Sequence, residues 1–203
     1  MVKVALIGAS GNVGSRILKE LSDRGHQVTA IARNPEKIAT LPGVEAVAGD
    51  AQDKDALAGL VKGHDAVISS TRFTGTDFSI IVEALRQADV KRYLVVGGAA
   101  SLEVAPGKRL LDQSDFPETY KQEASNGAKL LDYLRRLDDL DWTFLSPSAM
   151  FVPGERTGTF RLGKDALLTG ENGSSISYED YAIAMVDEIE DPKNIRQRFT
   201  VGY

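Results

Sequence analysis

The chain has 203 residues, of which 42% are hydrophobic and 26% are charged, so it is long enough to bury a sizeable core in one large domain. Asp and Glu number 29 against 24 Lys and Arg, and the net charge of −5 gives no electrostatic support for nucleic-acid binding. There is no cysteine, which excludes disulfides, thiolate catalysis and cysteine-ligated metal sites.

The chain begins with an apolar run, residues 2–7, that stops at three glycines spaced three residues apart. This run predicts a parallel strand buried on both faces, and apolar residues at helical spacing after it predict a helix. In such a corner Gly8 can turn the chain, Gly11 lets the backbone approach a pyrophosphate, and Gly14 allows close packing of the helix. Backbone N–H groups at a helix start also favour anions. We therefore predict a dinucleotide site that includes Gly8, Ala9, Ser10, Gly11, Asn12, Val13 and Gly14.

The second predicted strand, residues 27–33, completes a β-α-β unit and ends at Arg33. An NAD site would carry Asp or Glu here to bind the ribose hydroxyls, whereas the planar donor fork of arginine matches the 2′-phosphate of NADP. Asn34 and Lys37 are near enough in sequence to assist. The alternative is a solvent-facing arginine that opens the next helix. We predict that NADP(H) is preferred over NAD(H).

A third predicted strand, residues 44–48, ends at Gly49 and Asp50. Asp50, with Ala51 beside it, would lie at the carboxyl edge of the sheet, where the adenine rests. An ordinary helix or loop cap is the alternative role for Asp50.

A helix over residues 53–61 leads to the fourth predicted strand, residues 65–71, whose last residues carry hydroxyls. Ser69, Ser70 and Thr71 would emerge beside the glycine turn, so we predict that they lie near the pyrophosphate and the nicotinamide ribose. The alternative is a polar strand end without a ligand.

A helix over 77–88 and a fifth strand over 93–98 continue the alternation of strands and helices. This alternation requires crossover connections, and it predicts an α/β fold of the Rossmann type. Such a fold has a doubly wound parallel sheet, helices on both faces and the ligand at the carboxyl ends of its strands. Residues 99–117 interrupt this alternation of strands and helices, and a loop of this length is usually functional. We expect it to lie over the nicotinamide.

The longest helical pattern covers residues 118–137, and a sixth strand over 142–145 ends at Ser146 and Pro147. Residues 151–175 are rich in glycine and turn residues, and they predict a short strand pair around 159–162 and 166–168 that is too small to fold alone. A capping-box pattern at Ser177 opens the last helix, and residues 198–201 predict a final strand. We therefore expect a single domain over residues 1–203, with 151–175 as a small substrate-side insertion.

The sequence also carries expectations about metals and membranes. The two histidines, His26 and His64, fall in predicted helix-to-strand connections, where solvated loop residues are expected rather than metal ligands. Residues 1–7 lack the basic start and long apolar region of a signal peptide, and no apolar run approaches the roughly 20 residues needed to span a bilayer. We expect a cytoplasmic protein without a metal, a membrane partner or a nucleic-acid partner.

Five segments carry a resemblance to a known family: residues 8–14, 49–50, 65–70, 146–154 and 176–182. Together they resemble the extended short-chain dehydrogenase/reductase superfamily, as an atypical member of the NAD(P)H-binding group that contains NADH-flavin reductase-like proteins. The resemblance covers essentially the whole chain. It implies an NAD(P)-binding Rossmann domain, in which Gly97, Gly98 and Pro147 join the cofactor-binding residues.

The resemblance also implies a catalytic tyrosine, a lysine four residues later and a serine after the fifth strand. Counting back from the end of the sixth strand places the tyrosine at Tyr120, but the lysine position holds Ala124. Lys121 lies about 100° around the helix from Tyr120, and Ser101 is the hydroxyl nearest to the end of the fifth strand. The catalytic candidates are therefore Tyr120, Lys121 and Ser101. The missing lysine argues against ordinary alcohol dehydrogenation, which needs a strong proton donor.

Hydride transfer to an oxidised flavin or a quinone makes a smaller demand, because the acceptor is electrophilic and its proton can come from water. We therefore expect an NADPH-dependent reductase of a flavin, a quinone or a similar conjugated small molecule, with FMN or FAD as candidate substrates. The alternative is a non-catalytic regulator that senses NADP(H). A sugar-nucleotide epimerase or dehydratase ranks lower. The oligomeric state, monomer or homodimer, stays open.

Overall fold

The computed structural model describes residues 1–203 and shows a large central sheet with helices on both faces. The strands are β1 (Lys3–Ile7), β2 (Gln27–Ala32), β3 (Val44–Ala48), β4 (Ala66–Ser69), β5 (Arg92–Val96), β6 (Glu103–Ala105), β7 (Lys108–Arg109), β8 (Asp141–Pro147), β9 (Met150–Val152), β10 (Arg161–Gly163), β11 (Ser175–Ser177) and β12 (Gln197–Gly202). The α-helices are α1 (Asn12–Asp23), α2 (Lys54–Val61), α3 (Phe78–Gln87), α4 (Glu118–Leu134) and α5 (Tyr178–Glu190).

The central sheet has eight strands in the order β10-β12-β8-β5-β4-β1-β2-β3. Every neighbouring pair is parallel except β10 and β12, which are antiparallel. The strand order reverses between β1 and β4, so the connections that leave these two strands run to opposite sides and open a crevice at their carboxyl ends. The predicted Rossmann-type α/β fold is confirmed.

Two apolar layers cover the sheet, and β1 contributes to both because its side chains alternate. Val4 and Leu6 pack against α1 and α5, whereas Ala5 and Ile7 pack against α2, α3 and α4. All four side chains are at most 2% exposed, as expected for a parallel strand covered on both faces. The structure contains no helix that is both long and apolar enough to traverse a bilayer.

The predicted strand pair within residues 151–175 is wrong. Leu162 lies in β10 and pairs with Val201 of β12, so this strand extends the edge of the central sheet. Residues 166–168 form no strand with it, and only Ala166 makes an isolated bridge, to Glu103. The flanking strands β9 and β11 pair with each other in a small parallel sheet. Turn residues indicated where the chain bends, but they did not indicate which distant strand each segment would join.

The expectation that both histidines are solvated is also wrong, since His26 is 3% exposed and His64 is 9% exposed. The Nδ1 of His26 accepts a hydrogen bond from the backbone N–H of Val2, and its Nε2 lies 2.9 Å from Glu190 Oε1. The Nδ1 of His64 lies 2.9 Å from the carbonyl oxygen of Val61. The Nε2 of His64 lies 2.8 Å from Thr29 Oγ1 of β2. Both rings therefore connect a helix-to-strand turn to a distant element of the domain.

Candidate functional site

The glycine turn lies between β1 and α1, at the point where the strand order reverses. Gly8 has φ of +81°, a conformation that favours glycine, and a Cβ there would overlap the carbonyl oxygen of Ser70. A Cβ on Gly14 would overlap the carbonyl oxygen of Gly8. These two glycines are therefore required by the path of the chain and by the close contact of α1 with the turn.

Gly11 differs from the other two glycines. Its φ of −74° and ψ of 170° suit any residue, and a Cβ there would meet only the carbonyl oxygen of Gly8, at 3.3 Å. As the N-cap of α1, Gly11 supplies no side-chain acceptor to the first N–H groups of the helix. These groups lack intrahelical partners and favour an anion. The missing side chain at Gly11 thus leaves room for a ligand beside the helix start.

A cleft of about 460 Å³ lies in front of this turn, along the carboxyl ends of β1, β2, β3 and β4. It is lined by Ile7, Gly8, Ser10, Gly11, Ile31, Ala32, Arg33, Gly49, Asp50, Ala51, Gln52, Ser70, Thr71, Arg72, Thr74, Gly75 and Thr76. Eight predicted cofactor residues therefore meet in one cleft, namely Gly8, Ser10, Gly11, Arg33, Asp50, Ala51, Ser70 and Thr71. This is the side of the fold on which an adenosine would lie.

Two arginines stand on the walls of this cleft without an acidic partner. Arg33 follows the end of β2 and Arg72 follows the end of β4, and both are exposed. Neither makes an ion pair or a side-chain hydrogen bond in the structure, whereas Arg16 of α1 binds the carboxylate of Glu179 at 3.0 Å. Sequence reasoning missed Arg72, although a cation directly after three hydroxyl residues at a strand end was a usable signal. Both guanidinium groups are free to bind phosphate.

Other polar groups of the cleft have more limited roles. Asp50 Oδ1 accepts the backbone N–H of Gln52 at 2.9 Å, so the local cap that was the alternative role for Asp50 is present. The hydroxyl oxygen of Thr71 is buried and has no hydrogen-bond partner. An orphaned hydroxyl at the wall of a cleft is costly unless a ligand or water satisfies it.

Several predicted cofactor residues lie outside the cleft walls. Ser69 is buried and its hydroxyl lies 2.8 Å from that of Tyr93, so this side chain faces the core rather than a pyrophosphate. Ala9 is fully buried beneath the turn. Asn12, Val13 and Gly14 form the first turn of α1, and Asn34 and Lys37 are exposed beyond the end of β2.

The three cofactor-binding residues implied by the family resemblance, Gly97, Gly98 and Pro147, lie elsewhere in the fold. The backbone N–H of Gly97 binds the carbonyl oxygen of Leu145, at 2.9 Å. Gly98 faces the ring of Phe73, which would lie 3.3 Å from a Cβ at that position. Pro147 is buried at the end of β8, where it pairs with β12. None of these three residues lines the cleft.

The side chains of the three catalytic candidates do not form a hydrogen-bonded group. Tyr120 is 64% exposed in the first turn of α4, and Lys121 Nζ pairs with Glu118 at 2.9 Å. Ser101 Oγ accepts a hydrogen bond from Arg198 at 3.2 Å, in a separate cleft of about 240 Å³. No hydrogen bond links Tyr120, Lys121 and Ser101, so the arrangement supplies no tuned proton donor of the tyrosine–lysine type.

Comparisons with known proteins agree with this geometry. A family model described as NAD(P)H-binding matches residues 8–192. The YwnB protein of Bacillus subtilis is 43% identical over 212 aligned positions, which cover 98% of both chains.

Two solved structures are similar over nearly their whole length. A candidate epimerase from Bacteroides thetaiotaomicron is 42% identical with a TM-score of 0.95, over 100% of this chain and 98% of that one. A candidate NADH-flavin reductase from Streptococcus pneumoniae is 38% identical with a TM-score of 0.85, over 100% of this chain and 99% of that one. The chain therefore belongs to the NAD(P)H-binding family, as a Rossmann protein of the atypical short-chain dehydrogenase/reductase type.

Proposed function

We propose that this protein is an NADPH-dependent reductase that transfers hydride to a flavin, a quinone or a similar conjugated small molecule. The observation that carries the proposal is the cleft at the glycine turn, which is lined by Gly11 and by two arginines without acidic partners. The likeness to a candidate NADH-flavin reductase supports the same reaction class.

The residues present fit a phosphorylated dinucleotide. The space beside Gly11 and the first N–H groups of α1 suit a pyrophosphate. We assign Arg33, which follows the end of β2, to a 2′-phosphate, and Arg72 adds a second positive charge to the same cleft. The unpartnered hydroxyl of Thr71 can bind a ribose or phosphate oxygen. We therefore propose that the cleft prefers NADP(H) over NAD(H).

NADPH, when bound, supplies the hydride, and the chain supplies binding, orientation and exclusion of water. A conjugated acceptor does not need a strong proton donor from the protein. This agrees with the absence of hydrogen bonds among the side chains of the three catalytic candidates. The exposed ring of Tyr120 offers a surface on which a planar acceptor can rest. We propose FMN, FAD and quinones as the acceptor class.

A second candidate function is a non-catalytic sensor of NADP(H). The absence of hydrogen bonds among Tyr120, Lys121 and Ser101 favours this function too, because a sensor needs the cofactor cleft and no proton donor. A sugar-nucleotide epimerase or dehydratase ranks below both, since these reactions use the tyrosine and lysine directly and the lysine position holds Ala124.

The deciding experiment measures NADPH consumption with FMN, FAD, a series of quinones and an azo dye, beside a titration of NADPH binding. Turnover with one acceptor, lost in a Gly11→Val variant, supports the reductase. Binding without turnover transfers support to the sensor. A protein that does not bind NADPH overturns both functions.

A further inference from the structure

A short segment, residues 72–77, forms part of the wall of the cofactor cleft and is called the strap here. Four of its residues line the cleft, namely Arg72, Thr74, Gly75 and Thr76. The strap contains no helix or strand, since β4 ends at Ser69 and α3 begins at Phe78. Its shape must therefore come from contacts with other elements.

Glu123 of α4 provides the strongest of these contacts. Its two carboxylate oxygens each accept one backbone N–H of the strap, from Phe73 and from Thr74, both at 2.7 Å. Glu123 makes no ion pair with any Lys or Arg, and these two N–H groups are its hydrogen-bond partners. Hydrogen bonds to a charged carboxylate are stronger than neutral ones. Glu123 thus fixes two consecutive peptide units directly after Arg72.

Further contacts hold the strap in the same place. Asn126 Nδ2 lies 3.4 Å from Thr74 Oγ1, and the ring of Phe73 packs where a side chain on Gly127 would lie, within 2.8 Å of its Cβ position. At the other end, Gln52 Oε1 accepts the backbone N–H of Asp77 at 2.9 Å. Helix α4 and the turn after β3 therefore hold the strap from both ends.

The geometry points to Glu123 as a positioning residue for the cofactor, which acts by holding the strap so that Arg72 faces the phosphates. This inference rests on the proposed NADPH site and names a residue that does not line the cleft. Loss of the carboxylate would release two peptide units next to Arg72, and an arginine on a mobile backbone must be ordered when it binds phosphate. The effect of Glu123 on affinity should therefore depend on Arg72.

A double-mutant cycle on NADPH affinity tests this dependence. Glu123→Ala should weaken NADPH binding about tenfold, and Arg72→Ala should weaken it by about ten- to a hundredfold. The double variant should bind no more than about twofold worse than Arg72→Ala, because Glu123 has nothing left to position. A merely structural role would instead give losses that multiply. Glu83→Ala removes an exposed, unpaired carboxylate from α3 and should leave the affinity unchanged.

A second variant keeps the test valid if Glu123→Ala is poorly folded. Glu123→Gln retains the side-chain length and one acceptor oxygen, and it should weaken NADPH binding about threefold, with cooperative thermal unfolding preserved. Unchanged affinity in a folded Glu123 variant, or multiplying losses in the cycle, overturns the positioning role while the NADPH site stands. A wild-type protein that does not bind NADPH overturns both.

Discussion

Gly11→Val should abolish NADPH binding while the protein remains folded. The Gly11 backbone, with φ of −74° and ψ of 170°, accepts an L-residue, and the nearest atom to a new Cβ is the Gly8 carbonyl oxygen at 3.3 Å. The two remaining carbons of valine would extend into the space in front of the helix start. That space is where we place the pyrophosphate.

The expected magnitudes follow from the same geometry. Valine is a poorer N-cap than glycine, which destabilises the folded protein by up to about 1 kcal/mol. Valine also restricts the unfolded chain, which stabilises the folded protein by about 0.4–1 kcal/mol. The free energy of unfolding should therefore change by no more than about 1 kcal/mol, or about 2–4 °C in Tm. NADPH affinity should fall more than a hundredfold, which corresponds to more than about 2.7 kcal/mol.

Gly14→Ala is the matched comparison, because its Cβ would overlap the Gly8 carbonyl oxygen and lie 3.2 Å from the Ala9 Cα. Overpacking of this kind typically costs about 1–3 kcal/mol. Thermal unfolding and an NADPH titration, run on both variants, separate a ligand role from a structural one. Wild-type affinity in Gly11→Val, or unfolding as early as in Gly14→Ala, would refute the assigned site.

Three further predictions concern the cofactor phosphate, the proton donor and acid stability. Arg33→Ala should weaken NADPH binding by roughly ten- to a hundredfold and leave NADH binding nearly unchanged, because a charge-assisted phosphate contact is lost. Tyr120→Phe should keep flavin reduction within about tenfold of wild type, since Ala124 leaves that hydroxyl without a tuning cation. Burial lowers the pKa of His64 below its usual value of about 6.5, so the free energy of unfolding should fall as pH drops from about 7.5 to 5.5. The fall should be shallower in His64→Gln.

Each of these predictions has a control and a contrary result. Lys62→Ala, which removes an exposed cation at the end of α2 and outside the cleft walls, is the control for Arg33→Ala. Equal binding of NADPH and NADH by the wild type would contradict the phosphate assignment. A collapse of flavin reduction in folded Tyr120→Phe would show that the tyrosine is an acid after all. The His64 argument is wrong if the wild type and His64→Gln lose stability in parallel, because the unfolded state should bind the additional proton on that ring.

The local sequence pattern was sufficient to predict the parallel strands at the centre of the sheet and the helices that connect them. Parallel strands and crossovers are predicted by the apolar run before Gly8, the helical spacing after it and the repeated alternation of strands and helices. A strand that is buried on both faces is apolar at nearly every position, so it can be identified from composition alone. The same reasoning placed Gly11, Arg33 and Asp50 together, since the carboxyl ends of neighbouring parallel strands meet at one edge of a sheet.

Tertiary structure alone decided which distant groups meet. Ser69 carries a hydroxyl at a strand end, yet its side chain faces Tyr93 because alternation along β4 turns it toward the core. Leu162 joins the edge of the central sheet because β12, far along the chain, presents an open row of backbone groups. Glu123 holds a segment 50 residues earlier, a contact that no local spacing encodes. The periodicity of apolar residues predicts which face of a helix or strand is buried. The packing of the whole chain determines which other element contacts that face.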